Sequence, residues 1–324
     1  DLSHSKGHAV VVAGDAQPPV VHALAHAINA ALGAVESGLV AYIDSPEADP
    51  TDQDASLGKL VDDLNNDQVK LLIVLGGNPV YNTPGDVDVA AAMGKAGLRV
   101  HLASEQNETS ELCHWVIPES HALESWGDIR AYDGTHSIVQ PLIRPLYKSK
   151  TASQILAVLL DEGSAVSDYD VVRASFAAKN GVLAEEKWRK ALSVGIVEGS
   201  AFPAKSVTAR GSFSEEAPLS SDEGLELHFR LDPTIGDGRY ASNGWLQELP
   251  KPLTRLTWDN ALHIHPSTAT KRELEQEDVV IIKVGEREVR AAVMLMFGHP
   301  KGAATLHLGY GRQVAGYIGK DRGF

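Results

Sequence analysis

The residues of this chain whose types and spacing could support binding chemistry begin with the turn Gly76, Gly77, Asn78 and Pro79, which directly follows an apolar run. Two consecutive glycines let the backbone turn sharply and let a ligand or a neighbouring loop come close. In open α/β sheets, ligands bind at the carboxyl ends of strands, and this turn lies at such an end. The turn is therefore a candidate ligand-binding edge, with an ordinary strand-to-helix loop as the alternative.

A second candidate is the histidine pair His263 and His265, which lie two residues apart in a stretch with strand character. Residues at this spacing on a strand point to the same face, so the two imidazoles could share a metal ion. No third ligand lies nearby in the sequence. A pair of surface histidines is therefore the alternative interpretation.

The remaining candidates are a thiol and three carboxylates. Cys113 and His114 are the residue types of a nucleophile and its base, but adjacent strand residues face opposite ways, which favours a buried core cysteine. Glu119, Glu124 and Asp128 could include an acid–base pair, although their spacing is not specific for one. These residues alone do not define a catalytic set.

Several recognisable nucleotide-binding and hydrolase motifs are absent from the sequence. The turn at residues 14–19, GDAQPP, lacks the second and third glycines of the G-x-G-x-x-G fingerprint. Neither a P-loop nor a G-x-S-x-G nucleophile elbow occurs. The residues therefore indicate a ligand- or partner-binding edge built from turns.

Composition limits the class of protein further. The chain has 324 residues with 43% apolar and 22% charged residues, which predicts a soluble globular protein of about two domains. Its formal net charge of −14 argues against non-specific nucleic-acid binding and against docking on anionic lipid. The single cysteine, Cys113, excludes internal disulfides and a CxxC cluster site in this sequence. No apolar run approaches the roughly 20 residues that span a bilayer.

The first half of the chain alternates strand and helix patterns. This alternation predicts a parallel sheet with helices on both faces, and the apolar run at residues 71–75 predicts a strand buried on both faces. Strands are predicted at residues 8–13, 39–43, 71–75, 99–103 and 113–117. Helices are predicted at residues 20–32, 57–64, 87–95, 151–160, 168–178 and 184–194.

The second half has a different texture. Residues 120–146 are predicted to be an irregular connection across the functional edge of the sheet. Residues 200–224, which hold few large apolar side chains, are predicted to be a mobile linker. From residue 225 onward, closely spaced short strands predict a small barrel-like domain. The predicted divisions are an α/β domain at 1–160, a helical segment and linker at 161–224, and a β domain at 225–324.

Several motifs together resemble the molybdopterin oxidoreductase superfamily. In that superfamily a strand ends in G-x-N-P, a later Glu-Thr pair precedes a strand that ends in Leu-Pro or Ile-Pro, and an E-x-x-G element follows. The matching residues here are Gly76–Pro79, Glu108 with Thr109, Ile117 with Pro118, and Glu124–Gly127. The resemblance covers nearly the whole chain, and it implies a Rossmann-like parallel-sheet domain, a helical linker and a final double-psi β-barrel.

Longer strings resemble one subfamily, the iron–sulfur subunit of alternative complex III. They are CHWVIPESHALESWGD, AYDGTHSIVQPLI, DPTIGDGRYASNGWLQELPKPLTRLTWDN and LHLGYGR. That resemblance implies an electron-transfer subunit of a membrane-bound respiratory quinol oxidoreductase, peripheral on the periplasmic side of the bacterial inner membrane. The implied partners are the other subunits of the complex, a ferredoxin-like iron–sulfur domain and a multihaem cytochrome c, with neither nucleic acid nor a direct membrane span.

The resemblance also assigns candidate cofactor-binding residues, which are vestigial if the cofactor has been lost. These residues are Gly76, Gly77, Asn78, Pro79, Glu105, Glu108, Thr109, His307, Gly309 and Arg312. No catalytic residue and no metal ligand is predicted. We expect no cofactor in this segment and iron–sulfur clusters in the remainder of the protein, with molybdopterin guanine dinucleotide as the alternative.

Two functions follow from the resemblance. The first is a non-catalytic scaffold, in which the turn after residue 75 packs against protein and aromatic and aliphatic side chains fill the cleft. The predicted packing partners of the turn are the loops at residues 126–132 and 308–312. The second is a fragment of an active enzyme that binds molybdenum bis-guanine dinucleotide, in which the same loops leave a polar cavity.

Overall fold

The computed structural model describes residues 1–160, 166–181, 184–208 and 224–323. The chain divides into two compact units. The first unit contains Asp1–Pro50, Trp126–Gln140 and Val172–Asp222, and the second contains Thr51–Ser125, Pro141–Val171 and Glu223–Phe324. The boundaries predicted from the sequence at residues 160 and 224 stay a prediction.

The helices follow the predicted apolar periodicity closely. Those longer than seven residues are α1 (Pro19–Ala31), α2 (Gln53–Asn65), α6 (Ala152–Leu159), α7 (Asp168–Asn180) and α8 (Ala184–Val194). The short ones are α3 (Pro79–Asn82), α4 (Val89–Met93), α5 (Glu108–Glu111), α9 (Gly244–Glu248), α10 (Pro266–Thr270) and α11 (Gly316–Gly319). Local capping explains where they begin: Thr151 and Gln154 form a reciprocal capping box at α6, and Asn107 and Ser110 form one at α5.

A three-stranded parallel sheet in the second unit confirms the α/β prediction. Its strands are β1 (Leu71–Leu75), β2 (Leu98–Ala103) and β3 (Trp115–Pro118), in that order. Leu72 packs with Leu64 of α2 and with Val89 and Met93 of α4. The prediction that β1 is buried on both faces is wrong, because β1 is an edge strand and Leu71 and Leu75 are exposed.

The second unit also contains a five-stranded mixed sheet. Its strands are β6 (Glu226–Arg230), β7 (Leu262–Ile264), β8 (Val279–Val284), β9 (Arg287–Leu295) and β10 (Ala303–His307). The hydrogen-bonded order is β6-β10-β7-β9-β8, with parallel pairs β6–β10 and β7–β9. Among the described residues β6 and β8 remain open edges, so a closed double-psi barrel is not confirmed.

Two strands that were predicted in the first unit do not form. Residues 9–13 have no strand partner among the described residues, because the main chain of Val11 bonds to the buried side-chain amide of Asn29 instead. The Val11 N–H donates to Asn29 Oδ1 at 2.7 Å, and the Val11 carbonyl accepts from Asn29 Nδ2 at 2.8 Å. In residues 39–43, only Tyr42 makes a bridge, with Lys205. A side-chain amide thus replaces the neighbouring strand that the apolar pattern predicted.

The stretch predicted to be irregular at residues 120–146 contains a β-hairpin. Its antiparallel strands are β4 (Gly127–Arg130) and β5 (His136–Val139). The Asp133-Gly134 turn, in which Gly134 has a φ of 84°, joins them. An Asp-Gly pair between alternating apolar residues is a strong hairpin signal that the sequence interpretation missed.

The core of the first unit packs against this hairpin. Ile138 lies with Val172 and Phe176 of α7 and Trp188 of α8. Trp188 stacks on Trp126 at 6.1 Å and meets Phe176 edge-on at 5.0 Å between ring centroids. The mobile linker predicted at residues 200–224 falls mainly on residues 209–223, which lie outside the described residues.

Candidate functional site

The Gly76-Gly77 turn connects β1 to α3 in a conformation that requires glycine. Both residues have a φ of 72°, in the left-handed region, where a Cβ would clash with the backbone. The Gly76 N–H donates to the Leu102 carbonyl at 2.8 Å, which holds the turn against β2. A Cβ on Gly77 would meet nothing within 4 Å, so the turn faces open space there.

Asn78 joins this turn to the start of α5. Its Oδ1 accepts hydrogen bonds from the backbone N–H of Thr109 at 3.1 Å and the hydroxyl of Thr109 at 2.8 Å. Its Nδ2 donates to Glu108 Oε2 at 2.7 Å, and Thr109 Oγ1 accepts from the Val80 N–H at 3.1 Å. Asn78 and Thr109 are both buried. The two sequence motifs, G-x-N-P and Glu-Thr, are therefore bonded directly to each other.

Glu108 continues this network to Arg312. Arg312 Nε donates to the two carboxylate oxygens of Glu108 at 2.9 and 3.0 Å, and Arg312 Nη2 lies 2.8 Å from Glu108 Oε2. The same carboxylate accepts from the backbone N–H groups of Gln313 and Val314 at 2.9 and 3.0 Å. Burial raises the pKa of Glu108, but the hydrogen bonds from Arg312, Val314 and Asn78 outweigh burial and lower the pKa to about 2.

Protein carbonyls also accept hydrogen bonds from both terminal nitrogens of Arg312. Nη1 donates to the Gly238 carbonyl at 2.6 Å, and Nη2 donates to the Val314 carbonyl at 2.9 Å. The guanidinium lies 4.8 Å from the ring centre of Tyr81, whose hydroxyl donates to the Tyr310 carbonyl at 2.7 Å. Burial raises the pKa of Tyr81 to about 12. Asn78, Glu108, Thr109, Arg312 and Tyr81 together form what we call the Glu108–Arg312 network.

Beside this network lies a polar cleft of about 310 Å³. It is lined by Gly76, Gly77, Asn78, Asn82, Ala103, Ser104, Glu105, Gln106, Asn107, Glu119, Asp237, Arg239 and Arg312. Five of the residues predicted from the sequence therefore line one cleft: Gly76, Gly77, Asn78, Glu105 and Arg312. Pro79, Glu108 and Thr109 are not in the lining, but Glu108 and Thr109 hydrogen-bond to the lining residues Asn78 and Arg312.

The charge in the cleft is predominantly negative. Glu105, Glu119 and Asp237 contribute carboxylates, and burial raises the pKa of Glu119. Arg239 donates to Asp237 at 2.9 and 3.1 Å, which, against the effect of burial, lowers the pKa of that carboxylate. Arg312 is neutralised by Glu108. Both cations in the lining are thus paired, while Glu105 and Glu119 have no cationic partner among the described residues.

The charges of this cleft disfavour a guanine dinucleotide cofactor. Its diphosphate is an anion, and a diphosphate cradle needs free donors or unpaired cations. Here the Glu119 carboxylate lies 3.7 Å from the position that a Cβ on Gly76 would take, beside the very turn that would approach the phosphates. Two unpaired carboxylates would repel such a ligand.

Two predicted residues do not reach this cleft. His307 and Gly309 line a different, largely apolar pocket of about 600 Å³ on the five-stranded sheet. Gly309 has a φ of 102°, and a Cβ there would stand 2.9 Å from the Gly236 carbonyl oxygen. Its glycine identity follows from this close packing of two loops, not from contact with a phosphate.

The other sequence candidates have local structural partners. His265 accepts from the Ser267 N–H at 3.0 Å and caps α10, while the His263 ring lies 4.9 Å from His307, so the two histidines considered as a metal pair make separate contacts. Glu124 accepts from two backbone N–H groups, and Asp128 lies 2.6 Å from His136 Nε2. Among the described residues there is no cluster of three or more His, Cys, Asp or Glu side chains placed to hold a metal ion.

Cys113 is partly buried against the core of the parallel sheet, and burial raises the pKa of its thiol. The neighbouring His114 accepts from the Arg99 N–H at 3.0 Å through Nδ1. The two side chains therefore do not form a nucleophile and base, as the strand argument predicted.

Asp237 and Arg239 are cleft residues that the sequence interpretation did not single out. They stand in the string GDGR, and the spacing of a carboxylate and a guanidinium two residues apart gave no specific signal.

No described helix is long and apolar enough to cross a membrane.

Known proteins resemble this chain in sequence and in fold. No family model matches the chain. The chain is similar to the menaquinone reductase molybdopterin-binding-like subunit of Nitratidesulfovibrio vulgaris strain Hildenborough, with 25% identity over an alignment of 272 residues. The match covers 78% of this chain and 38% of that protein. The chain thus spans less than two-fifths of this curated relative.

Among solved structures, the chain resembles acetylene hydratase from Pelobacter acetylenicus. The TM-score is 0.58 at 16% identity, and the match covers 77% of this chain and 39% of the other. At this identity the likeness concerns the fold alone. Together, the sequence relative and the shared fold support the resemblance of this chain to the molybdopterin oxidoreductase superfamily.

Proposed function

We propose that this chain is the molybdopterin-oxidoreductase-like part of an iron–sulfur electron-transfer subunit of a respiratory quinol oxidoreductase, and that it serves as a non-catalytic scaffold. The similarity to a menaquinone reductase molybdopterin-binding-like subunit supports the electron-transfer role. The subfamily strings support placement with the iron–sulfur subunit of alternative complex III.

The observation that carries the scaffold role is the Glu108–Arg312 network. In it, the motif residues bond to each other and to protein backbone, and the donors of Arg312 are directed at Glu108, Gly238 and Val314. Residues that would otherwise be available to an anionic cofactor act here as a structural connection between α5 and the loop after β10. The negative charge of the neighbouring cleft also disfavours an anionic cofactor.

One expectation of the scaffold hypothesis is wrong. Aromatic and aliphatic side chains were expected to close the cleft beside Gly77, but glycine backbone and polar side chains line it. Such a lining is what the enzyme hypothesis predicted, so binding of molybdenum bis-guanine dinucleotide remains the second candidate. In the scaffold, charge rather than filled volume would exclude the cofactor.

The finer parts of the proposal rest on the resemblance. We infer that the five-stranded sheet corresponds to the double-psi barrel domain of the superfamily, and its alternation of parallel and antiparallel neighbours is consistent with that. The partners would be the other subunits of the complex, a ferredoxin-like domain with its clusters, and a multihaem cytochrome c. The location would be the periplasmic side of the inner membrane.

The test is to measure molybdenum, tungsten and pterin in the full-length protein, purified from its own complex. We expect none in stoichiometric amount. A Gly77→Val variant distinguishes the two hypotheses further. Since Gly77 has a φ of 72° and open space at Cβ, a β-branched side chain should cost about 1–2 kcal/mol through backbone strain, and not through contact with the protein that the scaffold hypothesis packs against this turn.

Gly285→Val is the matched control. Gly285, in the turn between β8 and β9, also has a positive φ of 58° and nothing within 4 Å of a Cβ, but it lies outside the cleft. The scaffold hypothesis predicts similar losses of melting temperature in both variants. Stoichiometric pterin in the wild type, lost in Gly77→Val but kept in Gly285→Val, would establish the enzyme instead.

A further inference from the structure

The apolar pocket on the five-stranded sheet has the features of a small-molecule site. Its volume of about 600 Å³ lies in the middle of the range for ligand pockets. Strands β6, β8, β9 and β10 supply one wall, and the segment from Tyr81 to Asp86 supplies another. This pocket is separate in its lining from the polar cleft beside Gly77.

The floor of the pocket belongs to a packed core. Leu227, Ile282, Val289 and Leu306 line the pocket and also pack in the cluster that contains buried Leu262 and Ala291. A rigid floor of this kind favours a preformed site. At the rim, Phe229, Val284 and Leu308 are exposed to solvent, although all three are large apolar side chains. Covering them would remove apolar surface from water.

Among the polar side chains that line the pocket, His307 is the one we consider as a partner for a bound ligand. Among the described residues, the His307 imidazole contacts the His263 ring at 4.9 Å, and its nitrogen atoms form no hydrogen bond with protein. Burial lowers the pKa of His307, so the ring is neutral near pH 7 and offers one donor and one acceptor. By contrast, the Tyr310 hydroxyl is engaged by Lys251 Nζ at 2.6 Å.

The charges at the pocket do not select an ion. Arg287 and Asp86 have opposite signs, and Glu288 is paired with Lys283 at 2.6 Å. A charged ligand would have to leave water for largely apolar walls, which is costly. These features together favour an uncharged occupant.

We propose that this pocket binds an uncharged, ring-bearing organic compound that carries one polar group, and that the polar group hydrogen-bonds to His307. The site is distinct from the cleft on which the proposed function rests, so either proposal can fail without the other. The chemical class is a bicyclic or tricyclic aromatic compound of modest size.

The test titrates the full chain with N-phenyl-1-naphthylamine, a neutral ring compound whose fluorescence rises in apolar surroundings. We expect saturable binding of one probe per chain. Val284→Trp should fill the rim and weaken binding at least about tenfold. Val279→Trp is the matched control, because Val279 lies on the same strand with similar exposure, 54% against 56%, but does not line the pocket.

Leu308→Trp repeats the filling test from another strand end, in case Val284→Trp does not fold. The melting temperatures of the three Trp variants should match that of the wild type, which shows that each variant is folded. Absence of saturable binding to the wild type, or equal affinity of the Val279→Trp and filled-pocket variants, would overturn the site.

The role of His307 is tested with a second probe. 1-Phenoxynaphthalene has nearly the same shape as the first probe but no N–H donor. The wild type should prefer the N–H probe by about three- to tenfold, the strength of one hydrogen bond, and His307→Phe should lose that preference. Equal affinity of the wild type for both probes would overturn the assigned contact.

Discussion

At the scale of single residues, Glu108 shows how one carboxylate can organise a site. It accepts hydrogen bonds from Asn78, Arg312 and the backbone of residues 313 and 314, and its side chain is only 11% exposed. A carboxylate with so many donors is stabilised in its charged form. The folded protein therefore holds its pKa at about 2, below the ordinary value of 4.5.

The pKa of Glu108 predicts a pH dependence of stability. Because the folded pKa is depressed, the contribution of this carboxylate is full above pH 4.5 and is lost as the pH falls from 4.5 towards 2. Glu108→Gln should lower the free energy of unfolding by on the order of 2–3 kcal/mol at pH 7, and the difference from the wild type should shrink through that window. Urea unfolding at a series of pH values measures it.

Glu111→Gln is the control for this prediction. Glu111 lies on the same helix, α5, but its side chain is exposed. Its replacement should change the free energy of unfolding by less than about 0.5 kcal/mol at every pH. A wild-type-minus-Glu108→Gln difference that does not vary with pH would show that the lost stability comes from packing and not from the charge.

The glycine turn makes a second point at the residue scale. Glycine at positions 76 and 77 is favoured by positive φ, and at Gly77 no neighbour lies within 4 Å of the position of a Cβ. The sequence correctly indicated an unusual backbone, but it suggested crowding where the structure has open space. Local conformation and local packing are separate causes of the same residue choice.

At the scale of elements, Arg99 of β2 connects the ends of two helices. Its Nη1 donates to the carbonyls of Met93, Gly94 and Ala96 at the end of α4, at 2.9 to 3.2 Å. Its Nε donates to the Leu112 carbonyl at the end of α5, at 2.6 Å. These carbonyls lie at or just beyond the ends of the two helices, and a cation is favourable at a helix C-terminus. One guanidinium thus fixes α4 and α5 against the strand between them.

Arg99→Lys tests this arrangement because it keeps the charge and removes the planar fork. We expect a loss of about 2–3 kcal/mol in the free energy of unfolding, since an ammonium group cannot reach all four carbonyls. Arg290→Lys, at an exposed position on β9, should be nearly neutral. Equal effects of the two substitutions in urea unfolding would contradict the proposed role of the fork.

The hairpin β4–β5 shows why element prediction failed locally. Its polar, Trp- and Gly-rich sequence suggested irregular structure, yet His136 and Ile138 are buried on one side of β5. The burying surface comes from α7 and α8, more than thirty residues further along the chain. Short strands with weak patterns depend on such distant partners.

At the scale of the whole molecule, the chain has one cysteine, and its thiol is partly buried. An iron–sulfur cluster normally takes four ligands, mostly thiolates. We therefore expect this chain alone to show no iron-dependent visible absorbance after reconstitution with iron and sulfide. Absorbance that persists in Cys113→Ser would reveal a cluster site of different composition.

The distribution of the predicted site residues is also decided at this scale. Gly76, Gly77, Asn78, Glu105 and Arg312 line one polar cleft, whereas His307 and Gly309 line an apolar pocket. Residues 307, 309 and 312 are nearly adjacent in the sequence, but the loop after β10 turns between them. A motif that seems continuous in the sequence therefore serves two surfaces.

The sequence by itself determined most of the regular elements and the position of the glycine turn. β1 and α8 form at the predicted residues, and α2, α6 and α7 form within a few residues of theirs. These features depend on apolar periodicity, caps and glycine conformation, all of which are local along the chain. The superfamily resemblance was likewise carried by short strings of neighbouring residues.

Only the tertiary structure decided what the site residues do. Glu108 and Arg312 are 204 positions apart, and no local pattern predicts that they pair. That pairing, together with the carboxylates of Glu105, Glu119 and Asp237, determines whether the cleft attracts or repels an anion. Electrostatics depends on distance in space, and the path of the chain sets that distance.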